Sequence, residues 1–258
     1  MARSQGTRAA GELGVRVLKR DSFGRVELLE GPGEPRVRRV AAGGRLPGSA
    51  LLARVLLRRE RRCLRVLRGV AGVPQIRDGP AADRPDRTLV RAWVAGRALF
   101  EATALPADFF DRLEELVASV HARGVCHNDL HKENNVLVGE DGYPWLIDFQ
   151  LGSVHRPGTR AFAVRCREDL RHVRKHRRRY ELQGDPSRRG MAAPAGRRSA
   201  VAWLWMRLGK PVYNLVTRRL LRTRDGEPRR SSSGPWPEWT SPVGPRTGAD
   251  SGPEVSRG

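Results

Sequence analysis

Apolar and polar residues alternate at Val15 and Val17, and again at Val26 and Leu28. Alternation of period two is the mark of a half-buried strand. Residues 15 to 42 therefore predict three short strands, broken at Ser22 to Gly24 and at Gly31 to Pro35. From residue 49 the period changes. Leu52, Val55, Leu56, Leu64 and Leu67 fall at helical spacing over 49–67, with Ser49 able to cap the start. A Gly/Pro/Asp-rich stretch, 72 to 86, leads into "TLVRAWVAG", a strand ending in glycine. Residues 106 to 124 carry the clearest helical stripe: Phe109, Phe110, Leu113, Leu116, Val117 and Val120. Pro106 stands near its start and Gly124 ends it. Two apolar runs, 136–138 and 145–147, flank "GEDGYP", which is hairpin chemistry. Further helices are expected over 167–182 and roughly 199–222, and there is no internal repeat.

This order of elements predicts an α+β protein with a small β-rich lobe over 15–96 and a mostly helical, reduced lobe over 97–223. Residues 1–14 read as a flexible N-terminus. Residues 224–258, rich in Pro, Gly, Ser and Arg without apolar periodicity, read as a disordered tail. The net charge of +21 favours polyanions in general. It identifies no partner, because all basic residues except Lys19, Lys132, Lys175 and Lys210 are arginines spread through every segment. Cys63, Cys126 and Cys166 lie far apart with no CxxC pair, so neither a disulfide framework nor a zinc site is expected. No apolar run approaches the 18 or so residues of a membrane span, and the N-terminus lacks a signal-peptide core. A cytoplasmic chain is expected, with any membrane contact peripheral.

One window concentrates chemistry: "HNDLHKENNVLVGEDGYPWLIDFQ", residues 127 to 150. Asp129 precedes Asn134 by five residues, and Asp148 follows Asn134 by 14. Phosphoryl transfer asks for such a set: one carboxylate to orient a hydroxyl and accept its proton, and an amide oxygen with a second carboxylate to hold Mg²⁺. A hairpin between Asn134 and Asp148 can bring them together. The competing reading, a solvated loop that happens to be polar, fits each residue singly but not their joint spacing.

Through "HNDLHKENNVLV" and "LIDFQ" the chain resembles the protein-kinase superfamily. Within it, the resemblance is closest to bacterial RIO-like and lipopolysaccharide (Kdo/WaaP-type) kinases and the aminoglycoside/choline kinase branch. The resemblance implies a two-lobed kinase fold with ATP between the lobes and Mg²⁺ as cofactor. It implies Asp129 as catalytic base, Asn134 and Asp148 as metal ligands, and His127 as the histidine that buttresses the loop. Lys132, with His131 as the alternative, is placed to meet the γ-phosphate.

Other parts of that pattern are altered. The phosphate-covering turn is reduced to "RDSFGR", giving Ser22, Phe23 and Gly24 as nucleotide contacts, although an ordinary hairpin turn explains the stretch equally well. Where a strand lysine is expected there is "PRVRRV"; side-chain alternation puts Val37 and Arg39 on one face and Arg38 on the other. Arg39 is then the phosphate-side cation and Glu60 its helix partner, while a surface arginine is the alternative. Gln150 replaces a glycine after Asp148-Phe149. Some twenty residues separate "DFQ" from the next predicted helix, with no Ala-Pro-Glu, which implies an atypical kinase. Asp169 either anchors the catalytic loop or simply starts a helix.

On that helix Arg171, Arg174, Lys175, Arg178 and Arg179 form a charged exterior, read as a solvated face or a dock for an anionic substrate. Residues 200 to 222 mix Trp203, Trp205 and Met206 with arginines, fitting either lobe packing or a surface-lying membrane helix. The expected function is ATP–Mg²⁺-dependent phosphotransfer to a hydroxyl, with a serine/threonine protein acceptor preferred over an envelope glycolipid sugar. A pseudokinase or polyanion-binding scaffold is the rival from another class.

Overall fold

A computed structural model describes residues 14–21, 23–44, 47–78 and 84–184, the last three by backbone only. The expected helix over 199–222, the N-terminal segment before Gly14 and the tail over 224–258 lie outside the described residues, as does Ser22.

The first lobe is an antiparallel sheet in the order β1 (Gly14–Asp21), β2 (Gly24–Glu30), β3 (Arg36–Ala41) and β4 (Thr88–Ala92), with helix α1 (Ser49–Val66) inserted between β3 and β4. All three strands expected over 15–42 are present. β3 sets the cleft: Val37 pairs with Leu28 and Arg91, and Arg39 with Val26 and Leu89, so Val37, Arg39, Leu89 and Arg91 share the face toward α1. Arg38 pairs with Glu27 on the opposite face. There Arg25 and Arg38 both bond the Glu27 carboxylate, Arg38 at 2.6 Å. Burial would raise the Glu27 pKa, but these two guanidinium groups more than offset it and hold the carboxyl below the usual range.

Helix α1 departs from expectation twice. Ser49 is not its cap. Gly48, in the left-handed region at φ 80°, holds the N-cap position, and the Ser49 hydroxyl donates to the Gly44 carbonyl instead. The buried stripe runs through Ala53, Leu57, Glu60, Cys63 and Leu64, whereas Leu52 and Val55 are exposed. The helix is rotated so that Glu60 faces the sheet, with Leu57 one turn and Ala53 two turns earlier on the same buried face.

Past β4 the chain enters the second lobe through β5 (Gly96–Ala98) and α2 (Phe109–Ala122). Every residue of the expected α2 stripe is buried; each large apolar side chain so buried contributes about 1.5–3 kcal/mol. Gly124 ends α2 at φ 73°, and a Cβ there would lie 2.6 Å from the His155 carbonyl oxygen. The remaining elements are β6 (Val125–Cys126), the hairpin β7 (Val136–Gly139) and β8 (Pro144–Leu146), β9 (Ser153–Val154) and α3 (Arg160–Gly184). β5 pairs with β7 of the hairpin, and β6 with β9. α3 begins seven residues before the expected 167, so the segment after "DFQ" is shorter than the sequence suggests. Among the described residues no helix is long and apolar enough to cross a membrane.

Candidate active site

The catalytic window lies where β6, the β7–β8 hairpin, α1 and α3 converge. Asp129 follows β6 on a loop that starts with Asn128 at φ 63°. Its carboxylate is nearly fully buried, and its Oδ1 has no hydrogen-bond partner among the described residues. His131 Nδ1 lies 3.0 Å from Oδ1, Lys132 Nζ 3.1 Å from Oδ2, and Asn135 Nδ2 donates to Oδ2 at 2.9 Å. Burial would raise the Asp129 pKa, but His131 and Lys132 more than offset it, so the group is an anion held below the ordinary carboxylate range. Lys132 and His131 are thus both on the Asp129 carboxylate, half exposed at its outer edge.

Asp148 ends the hairpin in the left-handed region at φ 64°. Its neighbour Phe149 is fully buried, with its ring centroid 4.5 Å from that of His127. Residues 149–151 form a single 3-10 turn packed against α1. Gln150 sits inside that turn, which needs no glycine. His127 is buried and donates from Nε2 to the Ile147 carbonyl at 2.9 Å. It ties the two acidic loops together and positions them.

Arg39 reaches down from β3. Its Nε lies 3.5 Å from Glu60 Oε2 and its Nη1 3.6 Å from Asp148 Oδ1. The register is therefore the expected one, with Arg39 in the cleft and Arg38 outside. Burial would lower the Arg39 pKa, but Glu60 and then Asp148 outweigh it and raise the pKa. A second buried arginine, Arg91 of β4, places Nε 3.7 Å from Glu60 Oε1; here burial prevails and the pKa falls. One carboxylate, 1% exposed, therefore carries two cations.

These contacts are charge pairs without hydrogen bonds. Both Glu60 oxygens, Arg39 Nε and Asp148 Oδ1 are buried and lack a hydrogen-bond partner among the described residues. Buried polar atoms are rarely left so, and the pattern fits a site shaped for a further charged group. Asp148 Oδ1 and the half-buried Asn134 amide supply the hard oxygen donors that Mg²⁺ takes. Burial would raise the Asp148 pKa, but Arg39 and then His127 more than compensate and lower it, leaving the carboxylate in the form that binds a cation.

The β1–β2 turn roofs the cleft. Phe23 and Gly24 line it with Asp21, Arg39, Ala53 and Gln150, and the Phe23 N–H donates to Asp21 Oδ1 at 2.8 Å. Gly24, at φ 142°, is pressed so closely on β3 that a Cβ would lie 1.9 Å from the Val40 carbonyl oxygen. Only about 10 Å³ is open beneath the turn.

Several site residues were not anticipated from sequence. Arg91 is one, and Asn135 is another: its amide donates at 2.9 Å to both the carbonyl and the carboxylate of Asp129. Glu133 and, on α3, His176 are others, while for Asp169 the structure decides between the two readings the sequence left open. Asp169 is not a helix-start acid but lies well inside α3. It accepts from the backbone N–H of His127 at 2.8 Å and of Asn128 at 2.9 Å, with His121 Nε2 3.1 Å away. His176 Nε2 donates to the Leu130 carbonyl at 2.8 Å. Glu133 is held by Arg179 at 2.5 Å and by the Tyr180 hydroxyl at 2.9 Å. Of the basic exterior, Arg171 pairs with Glu168 at 2.9 Å and Arg174 with Glu114 at 3.4 Å.

Residues 13–191 match the model of the phosphotransferase enzyme family. Over 98 residues the chain is 37% identical to the 3-deoxy-D-manno-octulosonic acid kinase of Xanthomonas euvesicatoria pv. vesicatoria, a match covering 38% of this chain and 32% of that one. A probable SapB synthase of Streptomyces coelicolor is 35% identical over 113 residues, which are 36% of this chain and 12% of that protein. The chain thus spans a third or less of these relatives. Among solved structures, the Rio2 kinase–ADP/Mg²⁺–phosphoaspartate complex of Chaetomium thermophilum is similar with a TM-score of 0.49 and 16% identity, over 74% of this chain and 59% of that one. The family match runs unbroken from β1 through the Arg39–Glu60–Asp148 cluster and the catalytic loop to the end of α3, so the chain belongs to the phosphotransferase enzyme family.

Proposed function

We propose that the protein transfers the γ-phosphoryl group of ATP to a hydroxyl, with Asp129 as the base. The observation that carries this reading is a pair of acids with different surroundings, Asp129 buried and Asp148 partly exposed. Asp129 has the His131 ring and the Lys132 ammonium beside its carboxylate and an Asn135 hydrogen bond on Oδ2, which hold it anionic on a braced loop, whereas Asp148 Oδ1 faces Arg39 at 3.6 Å. The first arrangement suits a group that orients a hydroxyl and takes its proton. The second suits a group that shares a cation with phosphate. Asn134 and Asp148 would hold Mg²⁺, which when bound neutralises phosphate charge. Arg39, kept in place by Glu60, would meet the phosphate oxygens, and Lys132 would meet the transferred group as it leaves Asp129.

For the acceptor, we favour the hydroxyl of a small saccharide, of the kind carried by envelope glycolipids, over a protein serine or threonine. Residues 152–159 are all that separate the turn after Asp148 from α3. Eight residues leave little backbone on which to lay an extended peptide. The kinship with 3-deoxy-D-manno-octulosonic acid kinases points the same way. The catalytic window's resemblance to RIO-like kinases keeps the protein acceptor as the second reading. With ATP as donor, this reading goes with a cytoplasmic enzyme, and a glycolipid acceptor would add peripheral contact with the inner face of the membrane.

Incubation of the full chain with γ-labelled ATP, Mg²⁺ and a bacterial extract, followed by separation of glycolipid from protein, tests both. Label in glycolipid supports the first acceptor and label in protein the second. Label in neither, with no ATP hydrolysis, refutes the enzyme reading in favour of a scaffold.

A further inference from the structure

Behind the catalytic loop, three side chains absent from the phosphotransfer chemistry converge. Cys126 closes β6, directly before His127, and is fully buried. Cys166 lies on α3, three residues before Asp169, and is half-buried. His121 belongs to the last turn of α2. The two sulfurs are 3.7 Å apart, and these with one ring nitrogen of His121 all lie within 4.8 Å of one another.

We propose that His121, Cys126 and Cys166 bind a thiophilic divalent cation of the zinc class, clasping α2, β6 and α3 at the root of the catalytic loop. The geometry is close to what such an ion needs. Zinc–sulfur bonds of about 2.3 Å at a tetrahedral angle put two sulfurs about 3.8 Å apart, against 3.7 Å observed. The same arithmetic with a zinc–nitrogen bond of about 2.0 Å sets nitrogen and sulfur about 3.5 Å apart, a contraction of the present 4.8 Å cluster by about 1.3 Å at most. Two thiolates balance a divalent charge, so the ion enters a buried place without net charge. The Asp169 carboxylate, 3.1 Å from His121 Nε2, is the kind of partner that orients a metal-bound imidazole. Phe162 walls the other side, edge-on to His121 with centroids 6.3 Å apart. The exposed flank of Cys166 leaves a fourth position to water.

Burial pushes both thiols up in pKa, so each carries its proton when no cation is present. Binding is then an exchange: the cation forms two metal–sulfur bonds, both S–H bonds break, and two protons leave to solvent. The consequence reaches the active site through Asp169, which bonds the backbone of His127 and Asn128. An ion there would stiffen the loop that aims Asp129.

The test uses the full chain, reduced and stripped of metal, titrated with Co²⁺ and then with Zn²⁺. The expected result is one Co²⁺ per chain, with sulfur-to-cobalt charge-transfer absorption and the visible bands of a tetrahedral site, displaced by stoichiometric Zn²⁺. Cys166→Ser, at a half-exposed position, and His121→Asn should each weaken binding at least tenfold, while Cys63→Ala should leave the spectrum unchanged. The proposal is overturned if no charge-transfer band develops, or if it survives in Cys166→Ser. It is equally overturned if, when the Zn²⁺-treated protein is exposed to dissolved oxygen as oxidant, Cys126 and Cys166 convert to a disulfide, two hydrogens lighter by mass, without retaining metal. None of these readouts depends on ATP turnover.

Discussion

Exchange of the two neighbouring arginines of β3 for alanine, one at a time, separates the cleft face of the strand from its outer face. Arg39 lies 3.5 Å from Glu60 and 3.6 Å from Asp148. At an effective dielectric of about 20, each separation corresponds to roughly 5 kcal/mol of gross Coulomb attraction. Most of that is cancelled by desolvation, and neither contact is a hydrogen bond. Breaking a buried pair by removing one partner costs about 3–5 kcal/mol, and for Arg39 the lower figure applies, because Arg91 still neutralises Glu60 from 3.7 Å. Glu60→Ala should cost more than Arg39→Ala, since it strands two buried cations. The double variant Arg39→Ala/Glu60→Ala should lose less than the sum of the single changes.

Nucleotide affinity distinguishes the positions further. If Arg39 contributes one charge-assisted contact to phosphate, worth about 1.5–3 kcal/mol, Arg39→Ala should weaken ATP–Mg²⁺ binding about 10- to 100-fold. Arg38 contacts Glu27 at 2.6 Å on the other side of the sheet. Its loss should lower the melting temperature modestly and leave ATP affinity unchanged. Calorimetric titration of the folded variants with ATP and Mg²⁺ reads one effect, and thermal melts read the other. Equal ATP affinity in the wild type and Arg39→Ala, or a larger loss in Arg38→Ala, would refute the placement of the phosphate contact on this strand face.

Further expectations concern the lower half of the cleft. Asp129→Asn should reduce phosphotransfer about 100- to 10,000-fold with near-normal ATP affinity, and unchanged turnover would remove the base assignment. Asp148→Ala should abolish the Mg²⁺-dependent part of nucleotide binding; identical wild-type ATP affinities with and without Mg²⁺ would show that its metal role is wrong. Asp169→Asn leaves one acceptor oxygen for two backbone N–H groups, so it should lower kcat with little change in KM and cost about 3 kcal/mol of stability; a silent variant would mean the loop is braced elsewhere. Asp129 and Asp148 have depressed folded-state pKa values. Their contribution to stability is therefore complete above the unfolded carboxylate value of about 4 and is lost as pH falls through the lower folded values. Acid melts should show stability falling only below about pH 4, and a loss already complete at pH 5 would contradict the shifts.

What could be read from sequence was what the chain writes locally. The spacing from His127 to Asp148 lies within one loop and hairpin, so it is legible locally even though α3 braces the loop. The β3 register followed from alternation, which is why Arg39 and Arg38 separated correctly. The residues that escaped act across the fold and are polar, so a search for apolar periodicity passes over them. In α1 the stripe was drawn through Leu52 and Val55, whereas the buried line is the one containing Glu60. In α3, Asp169, Val173, His176 and Tyr180 repeat at intervals of four, three and four and are all buried; the sequence points Val173 and Tyr180 inward and offers Asp169 as a loop anchor, but gives no sign of His176. Arg91 shows the same signal in a strand: it stands within "TLVRA", where the first four residues are all buried. Burying charge is costly unless partners await it, so a charged residue at a core position implies a partner elsewhere in the chain. Glu60 answers to Arg39 and Arg91, and Asp169 answers to two loop amides and His121. The polar members of core stripes, more than the apolar ones, mark where this chain is built to hold a site.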